Sequence, residues 1–172
     1  MKIWKTYVPW TKDFVKDNIN IIERNYRDYP FQNRWSADGT NVHTGHSDDE
    51  DRSRYINYYF LGKEYEKIVE RFCKENNVKQ HYRIGDIWYN YYRGGQYQTP
   101  HTHEGDFTAV HYLKFNRFKH STTKFVDPTI RMPFIREGTL IIFPATYAHY
   151  VKPQKSEDSR LTIAFGFLSQ QI

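Results

Sequence analysis

The second half of the sequence is built from short segments of strand character. The segments "DIWYNYY", "DFTAVHYLKF", "TLIIFP" and "RLTIAFGF" are rich in β-branched and aromatic residues, a composition that fits the pleated, half-buried surface of a sheet. Between them lie "RGG", "DPT", "REG" and "KSED", which are the chemistry of turns and loops. Many short strands joined in this way exclude a helical bundle and predict an antiparallel sandwich or jelly roll.

The first part of the chain predicts two amphipathic helices. Thr11 can cap a helix that runs to about Tyr26, with apolar residues at helical spacing. The segment from Leu61 to Phe72 repeats this spacing and predicts a second helix that ends near "ENN". The fold class is therefore expected to be mainly β with N-terminal helices.

A long polar segment separates the two predicted helices. Residues 34–51 are rich in Gly, Ser and Asp, which predicts a loop, and residues 36–54 are long enough to form a lid over a site. We expect a single domain over residues 1–172. Residues 1–80 would form its helical and loop cover, and residues 81–172 its strand core.

The composition bounds the compartment and the kinds of site. Cys73 is the only cysteine, so an intrachain disulfide and a cysteine-type zinc cluster are both excluded. No apolar run approaches the roughly 20 residues of a membrane span. The segment "MKIWKTYVPW" lacks the apolar core of a signal peptide. These features predict a cytoplasmic protein with no membrane partner, in the host cytoplasm if the source is a virus.

The positive charge is concentrated in one stretch. From Lys114 to Arg136 the chain has six basic residues and one acidic residue, Asp127. The net charge of this stretch is therefore +5, which is also the net charge of the whole chain. Such a stretch can attract an anionic partner, including nucleic acid. It can equally be a solvated hairpin, and the sequence leaves both interpretations open.

Two histidines stand one residue apart in "TPHTHEGD". On a strand, residues two apart point to the same face, so His101 and His103 can offer their imidazoles to one metal ion. Two exposed or hydrogen-bonded histidines in an ordinary strand would look the same. A third histidine, His149, follows the apolar strand "TLIIFP" and a short turn, which puts it at a strand end. His111 lies inside a strand and is expected either to pack in the core or to support a residue of the site.

The last strand-like segment, "RLTIAFGF", separates into two faces. Its large apolar residues alternate with Arg160, Thr162, Ala164 and Gly166, so one face is expected to pack outward and the other to leave a space. A guanidinium fork and a hydroxyl beside that space are what a small carboxylate needs. A surface arginine at the start of a strand is the simpler alternative.

Together these residues resemble a known family. The stretch 86–168 is similar to the Fe(II)- and 2-oxoglutarate-dependent oxygenases, especially small prolyl 4-hydroxylase-like members from phage and bacteria. The family pattern is a strand Tyr, a Gly-containing turn, His-x-Asp/Glu, a distal His and an Arg about one strand later. The matching residues are Tyr92, Gly94, Gly95, His101, His103, His149 and Arg160. The resemblance covers about half of the chain closely.

The resemblance implies a fold, a reaction and two cofactors. The fold would be the double-stranded β-helix, a form of jelly roll, and the cofactors would be Fe(II) and 2-oxoglutarate. Arg160 would bind the distal carboxylate of 2-oxoglutarate with help from Thr162, while Asn90 and Tyr92 would also contact it. The reaction would be hydroxylation of an unidentified substrate, either a peptide or protein or a nucleic-acid-related molecule.

One position departs from the family pattern. The carboxylate that usually completes the iron site is replaced by His103. The implied ligands are thus His101, His103 and His149, unless Glu104 or Asp106 enters the site. Asp106 would need a bend at Gly105, which glycine permits.

Two other kinds of protein fit part of the pattern. A cupin-type metal protein, which does not use 2-oxoglutarate, shares "GQYQTPHTH" and "GTLIIFPATYAH", but it expects a Glu a few residues after His103 and gives Arg160 no role. A non-enzymatic jelly-roll module would bind an anionic partner through the stretch from Lys114 to Arg136, and its histidines would be structural.

Overall fold

The computed structural model describes residues 2–28, 41–47, 56–78 and 81–169. Within this part of the chain there are two helices and nine strands. In chain order they are β1 (Trp4–Tyr7), α1 (Lys12–Asp28), β2 (His43–His46), α2 (Tyr58–Glu75), β3 (Tyr82–Tyr92), β4 (Gln98–His101), β5 (Phe107–Lys114), β6 (Thr123–Phe125), β7 (Thr139–Pro144), β8 (His149–Val151) and β9 (Arg160–Ser169).

The strands form two antiparallel sheets. The larger sheet has six strands in the order β1-β7-β5-β9-β3-β2, and the smaller has three in the order β4-β8-β6. From β3 to β9 consecutive strands alternate between the two sheets, which is the winding of a jelly roll. The chain is therefore mainly β with two helices, as the strand pattern predicted.

Both predicted helices are confirmed, with their caps. The hydroxyl of Thr11 accepts a hydrogen bond from the amide of Phe14 at 3.2 Å just before α1. Asn57 caps α2 by accepting from the amide of Phe60 at 2.9 Å. These side chains satisfy amides that have no partner within the helix itself. None of the described helices combines the length and the apolar character that crossing a membrane requires.

The main core lies between helix α2 and the large sheet. The two faces of β9 separate as predicted, and the apolar face packs against α2; the buried residues of this contact include Leu61, Tyr65, Phe72, Leu161, Ile163, Phe165 and Phe167. His111 belongs to this layer, where its Nδ1 lies 3.0 Å from the hydroxyl of Tyr65. Burial lowers the pKa of His111 to about 3, so the ring is neutral and has the first of its two expected roles, packing in the core.

The N-terminal part is not only a cover of helices and loops. Strand β1 extends the large sheet beside β7, and residues 43–46, predicted as loop, form strand β2 beside β3. His43, Thr44 and His46 are buried there. Their polar composition favours a loop, but pairing with β3 satisfies the backbone of this segment. The rest of the predicted lid, residues 36–40 and 48–54, lies outside the described residues.

Gly45 tests the position of β2, and Gly62 in α2 serves as a control. A Cβ on Gly45 would lie 2.4 Å from the ring of Tyr89, while a Cβ on Gly62, within α2, would have Ile87 at 3.7 Å as its nearest neighbour. Gly45→Ala should lower the free energy of unfolding by about 1–3 kcal/mol because the buried tyrosine must move. Gly62→Ala should raise it by about 0.5–1 kcal/mol, since alanine favours helix.

Urea unfolding followed by circular dichroism measures both changes. If Gly45→Ala is as stable as the parent, residues 43–46 do not pack against β3 in the way described.

Candidate metal centre

Three histidines meet where the smaller sheet ends. His101, the last residue of β4, is paired directly with His149, the first residue of β8. His103 follows in the next loop, and its Nε2 lies 3.3 Å from Nε2 of His149. One ring nitrogen from each histidine lies within 4.8 Å of the others. The structure thus brings together the three histidines that the sequence singled out.

Hydrogen bonds set the direction in which two of these rings point. Nδ1 of His101 lies 2.7 Å from the carbonyl oxygen of Thr99, and Nδ1 of His149 lies 2.9 Å from that of Tyr147. Because a carbonyl oxygen only accepts, each Nδ1 carries the proton and donates it. The lone pair is then on Nε2. Metal-binding histidines are commonly oriented by this kind of bond.

The surroundings keep the imidazoles of His103 and His149 neutral. Burial, and to a lesser extent the nearby His101, lower the pKa of His103 to about 3. Burial together with His101 and His103 lowers the pKa of His149 well below its usual value. Neutral imidazole is the form that binds a metal.

Main-chain bonds hold the two histidine-bearing loops together. The amide of His103 donates to the carbonyl of Ala145 at 3.1 Å, and the amide of Ala145 donates to the carbonyl of Asp106 at 3.0 Å. Gly105, between the two, has a φ of +93°, a conformation that favours glycine. This pair of bonds, the loop clasp, fixes His103 relative to the turn that leads to His149.

The two alternative carboxylates lie outside the histidine cluster. Glu104 and Asp106 are exposed, and neither is in the group of metal-binding side chains found among the described residues. The predicted bend at Gly105 is present, but it directs the main chain of Asp106 to Phe167 and Ala145. The arrangement favours three histidines, and the choice of third ligand stays a prediction.

A narrow cavity runs from the histidines into the barrel. Its volume is about 20 Å³, so the cavity as it stands has room for little more than one water molecule. Facing pairs on β3 and β9 form one side, with Asn90 opposite Thr162 and Tyr92 opposite Arg160. The complete lining is Trp88, Asn90, Tyr92, Gln98, His101, His103, Val110, Thr123, His149, Val151, Arg160, Thr162 and Ala164. The three histidines and the four residues implied to bind 2-oxoglutarate therefore share one cavity.

Arg160 is a buried cation without an anion. Its side chain is 1% exposed, and its guanidinium lies over the rings of Tyr92 and Tyr112, with centroids at 4.5 and 5.3 Å. In the described part of the chain no carboxylate forms a salt bridge with it, and its Nε and Nη1 have no hydrogen-bond partner. Burying such a charge is costly unless it is paired.

Neighbouring groups do not neutralise Arg160. Burial raises the pKa of Tyr92 to about 12 against the opposing effect of the arginine, so the phenol keeps its proton. That hydroxyl donates to Oε1 of Gln98 at 2.9 Å. Oδ1 of Asn90, on the same wall, also has no hydrogen-bond partner among the described residues. The unsatisfied N–H donors of Arg160 can bind a small anion through its oxygen atoms, whereas Oδ1 of Asn90 is an acceptor and needs a donor.

Five residues that line the cavity were not predicted from the sequence: Trp88, Gln98, Val110, Thr123 and Val151. Val110, and Tyr112 beneath the guanidinium, face β9 opposite Ala164 and Thr162. The alternation of "TAVHYLKF", with His111 on the opposite face, carries the signal that could have found them. Trp88, two residues before Asn90, has the same parity and packs against His103 with ring centroids 5.1 Å apart.

A second opening reaches the histidines from the surface. This surface groove has an open volume of about 550 Å³; its lining includes His46, Gly85, Asp86, Trp88, His103, Glu104, Gly105, Gly166 and Leu168. Asp86 is bound to His46 and to Ser47. Burial opposes ionisation of Asp86, but these bonds outweigh it and lower the pKa of the carboxyl. Because Trp88 and His103 line both spaces, the groove and the cavity adjoin.

Comparison of the sequence with protein-family models and with curated proteins gave no match. The fold, however, is similar to solved structures. A viral collagen prolyl hydroxylase from Paramecium bursaria Chlorella virus-1, in complex with 2-oxoglutarate, has a TM-score of 0.66 and 14% identity, covering 99% of this chain and 97% of that one. A prolyl 4-hydroxylase from Pseudomonas putida has a TM-score of 0.71 and 12% identity, covering 98% and 93%.

A third similar structure was solved with a peptide. It is the prolyl hydroxylase from Trichoplax adhaerens in complex with a fragment of the hypoxia inducible factor oxygen degradation domain. Its TM-score is 0.69 at 16% identity, covering 97% of this chain and 83% of that one. The chain therefore has the double-stranded β-helix fold of these prolyl hydroxylases, and the predicted fold class is confirmed.

Proposed function

We propose that the chain is an Fe(II)- and 2-oxoglutarate-dependent oxygenase. His101, His103 and His149 would hold the iron, and Arg160 would hold 2-oxoglutarate. The observation that carries the proposal is the buried, unpaired guanidinium of Arg160 in the same cavity as three convergent imidazoles. A metal and a carboxylate ligand would satisfy both groups at once.

The polar residues that line the cavity have separate roles in this proposal. Arg160 would pair with the distal carboxylate of 2-oxoglutarate through charge-assisted hydrogen bonds, and the Thr162 hydroxyl would donate to the same group. Asn90 and Tyr92 line the space beside the dicarboxylate. Bound iron with 2-oxoglutarate supplies the oxygen chemistry, while the chain supplies the geometry, a cavity poor in water and the ligand field.

The proposed reaction is hydroxylation. A substrate C–H bond becomes C–OH with one atom of O₂, and the other atom enters the succinate formed when 2-oxoglutarate loses CO₂. The substrate would lie in the surface groove, which adjoins the cavity at His103. A peptide is the substrate class we favour, because the groove is open enough for an extended chain and the similar Trichoplax enzyme was solved with a peptide.

A cupin would explain the histidines but not the rest of the cavity. Such a protein has no use for a buried arginine at the inner end of the barrel.

Three neutral imidazoles would also leave the iron without an anionic protein ligand. We expect this ligand set to change the metal affinity and the redox behaviour relative to sites with a carboxylate.

The metal assignment predicts which histidines matter. His101→Ala and His149→Ala should each weaken Fe(II) binding by more than about 100-fold, because a direct ligand contributes more than the outer-shell partners whose loss costs 10–100-fold. Anaerobic calorimetric titration with Fe(II) measures this. The matched control is His81→Ala, an exposed histidine outside the cluster, which should bind as the parent does.

A separate series of variants tests which side chain is the third metal ligand. His103→Ala should lose the metal, whereas His103→Asp should keep it by restoring a carboxylate at that position. Glu104→Ala and Asp106→Ala should bind Fe(II) as the parent does. Loss of binding in either carboxylate variant, with binding kept in His103→Ala, would show a different ligand set.

The arginine assignment predicts that substitution of Arg160 weakens the binding of 2-oxoglutarate but not that of Fe(II). With Fe(II) bound anaerobically, 2-oxoglutarate should produce a visible metal-to-ligand charge-transfer band in the parent. Arg160→Met should need more than about tenfold higher 2-oxoglutarate for the same band, since a buried charge pair is lost, while its Fe(II) affinity stays unchanged. Arg83→Met, at an exposed arginine of β3, is the control.

The stability of Arg160→Met to urea can be measured without any ligand. Because Arg160 is buried and no carboxylate among the described residues pairs with it, Arg160→Met should unfold at equal or higher urea concentration than the parent, with a gain of up to about 1–4 kcal/mol. A less stable Arg160→Met with unchanged 2-oxoglutarate binding would mean that the arginine serves the fold.

A further inference from the structure

The basic stretch from Lys114 to Arg136 is divided by the fold. Lys114 pairs with Glu23 at 2.8 Å, and Lys119 pairs with Asp158, so these two cations are neutralised. Arg117, Arg131 and Arg136 are exposed, and no salt bridge to them occurs in the part of the chain that the structure describes. The stretch does not act as one uniform patch.

Two of these arginines, Arg117 and Arg136, lie beside exposed aromatic rings. The guanidinium of Arg117 lies over the rings of Phe118 and Phe134, at 5.0 and 5.1 Å from their centroids. Phe134 lines a surface depression together with Arg136 and Tyr7. In it, the Arg136 guanidinium lies 4.9 Å from the Tyr7 ring centroid. We call these five residues the arginine–aromatic row.

The rings of this row are unusually open to solvent. Phe118 is 86% exposed, Phe134 58% and Tyr7 52%. Large aromatic side chains in soluble proteins are mostly buried, so three rings this exposed beside arginines are an uncommon surface feature, although the Tyr7 ring also lies against Gly138. Lys5 and Arg71 line the same depression and add positive charge, although Arg71 is paired with Glu75 at 2.7 Å.

The row lies away from the metal centre. Arg117 follows the end of β5, and Arg136 precedes the start of β7, next to which β1 places Tyr7 opposite Thr139. The metal-centre loops, in contrast, join β5 at its start and β7 at its end. Because β5 and β7 are antiparallel, the row is at the other end of this pair. A partner there would not occupy the cavity.

We propose that the arginine–aromatic row binds single-stranded nucleic acid. Guanidinium groups bind phosphates as forks, and open rings offer faces on which unpaired bases stack, which together is how such strands are bound without strict sequence preference. An acidic peptide would use the arginines and leave the rings exposed. A duplex hides its base faces. This proposal does not depend on the oxygenase assignment.

The test is fluorescence anisotropy with a labelled oligothymidylate of about 20 nucleotides, using the full chain over a range of salt concentrations. The parent should bind, and its affinity should fall steeply as salt rises. Arg117→Ala should weaken binding about tenfold and reduce the slope of log affinity against log salt by about 0.7. Phe118→Ala should weaken binding about tenfold with an unchanged slope, because stacking releases no counterions.

A second cation–ring pair on α2 supplies the controls. Lys63 lies 5.7 Å from the ring centroid of Tyr59, which is 79% exposed, so Lys63→Ala and Tyr59→Ala repeat the chemistry outside the row. Both should bind like the parent. If Arg117→Ala and Phe118→Ala both bind as tightly as the parent, or if the parent does not bind, the proposal is overturned.

Two other occupants are outcomes of the same experiment. If polyglutamate displaces the oligothymidylate at equal charge, the row recognises charge alone and the partner is an acidic protein. If the parent sediments as a dimer that Phe118→Ala dissociates, the row is covered by a second copy of the chain. Either result would replace the proposed partner.

Discussion

The two-residue alternation of β9 is the constraint on which the site depends. One face packs its large apolar side chains against α2, and the other presents Arg160, Thr162 and Ala164 to the cavity. Pairing with β3 on one side and β5 on the other holds both faces in register. A slip of one residue would exchange the faces and put the arginine into the core. The cavity therefore exists because the opposite face of the same strand is well packed.

The cavity works against stability, and the aromatic core offsets it. A buried unpaired guanidinium and three close imidazoles both cost free energy in the absence of ligands. On the other side of the sheet, the Tyr65 and Phe165 rings lie 4.4 Å apart and those of Phe72 and Phe107 5.0 Å apart. Contacts of this kind add to the burial of the rings themselves. The high aromatic content thus has a structural reason that the sequence alone only suggested.

The parts that were predictable from the sequence are those set by local pattern. The faces of β9 and the helix after Thr11 follow from residue spacing, and the position of His149 follows from a strand and a turn. Strand β2 could not be predicted because its polar residues become a strand only by pairing with β3. The paired residues are far apart in the chain, as in His43 with Tyr91 and His46 with Trp88. The neutralisation of Lys114 depends on Glu23, 91 residues away.

The loop clasp holds the main chain in place while the side chains at two of its positions can vary. Both of its hydrogen bonds join main-chain atoms, at His103, Ala145 and Asp106, so they do not depend on which side chains stand at positions 104 and 106. A substitution at position 104 can therefore reshape the rim of the surface groove while the spacing of His103 and His149 stays the same. The clasp thus lets the groove vary independently of the two proposed ligands beside it.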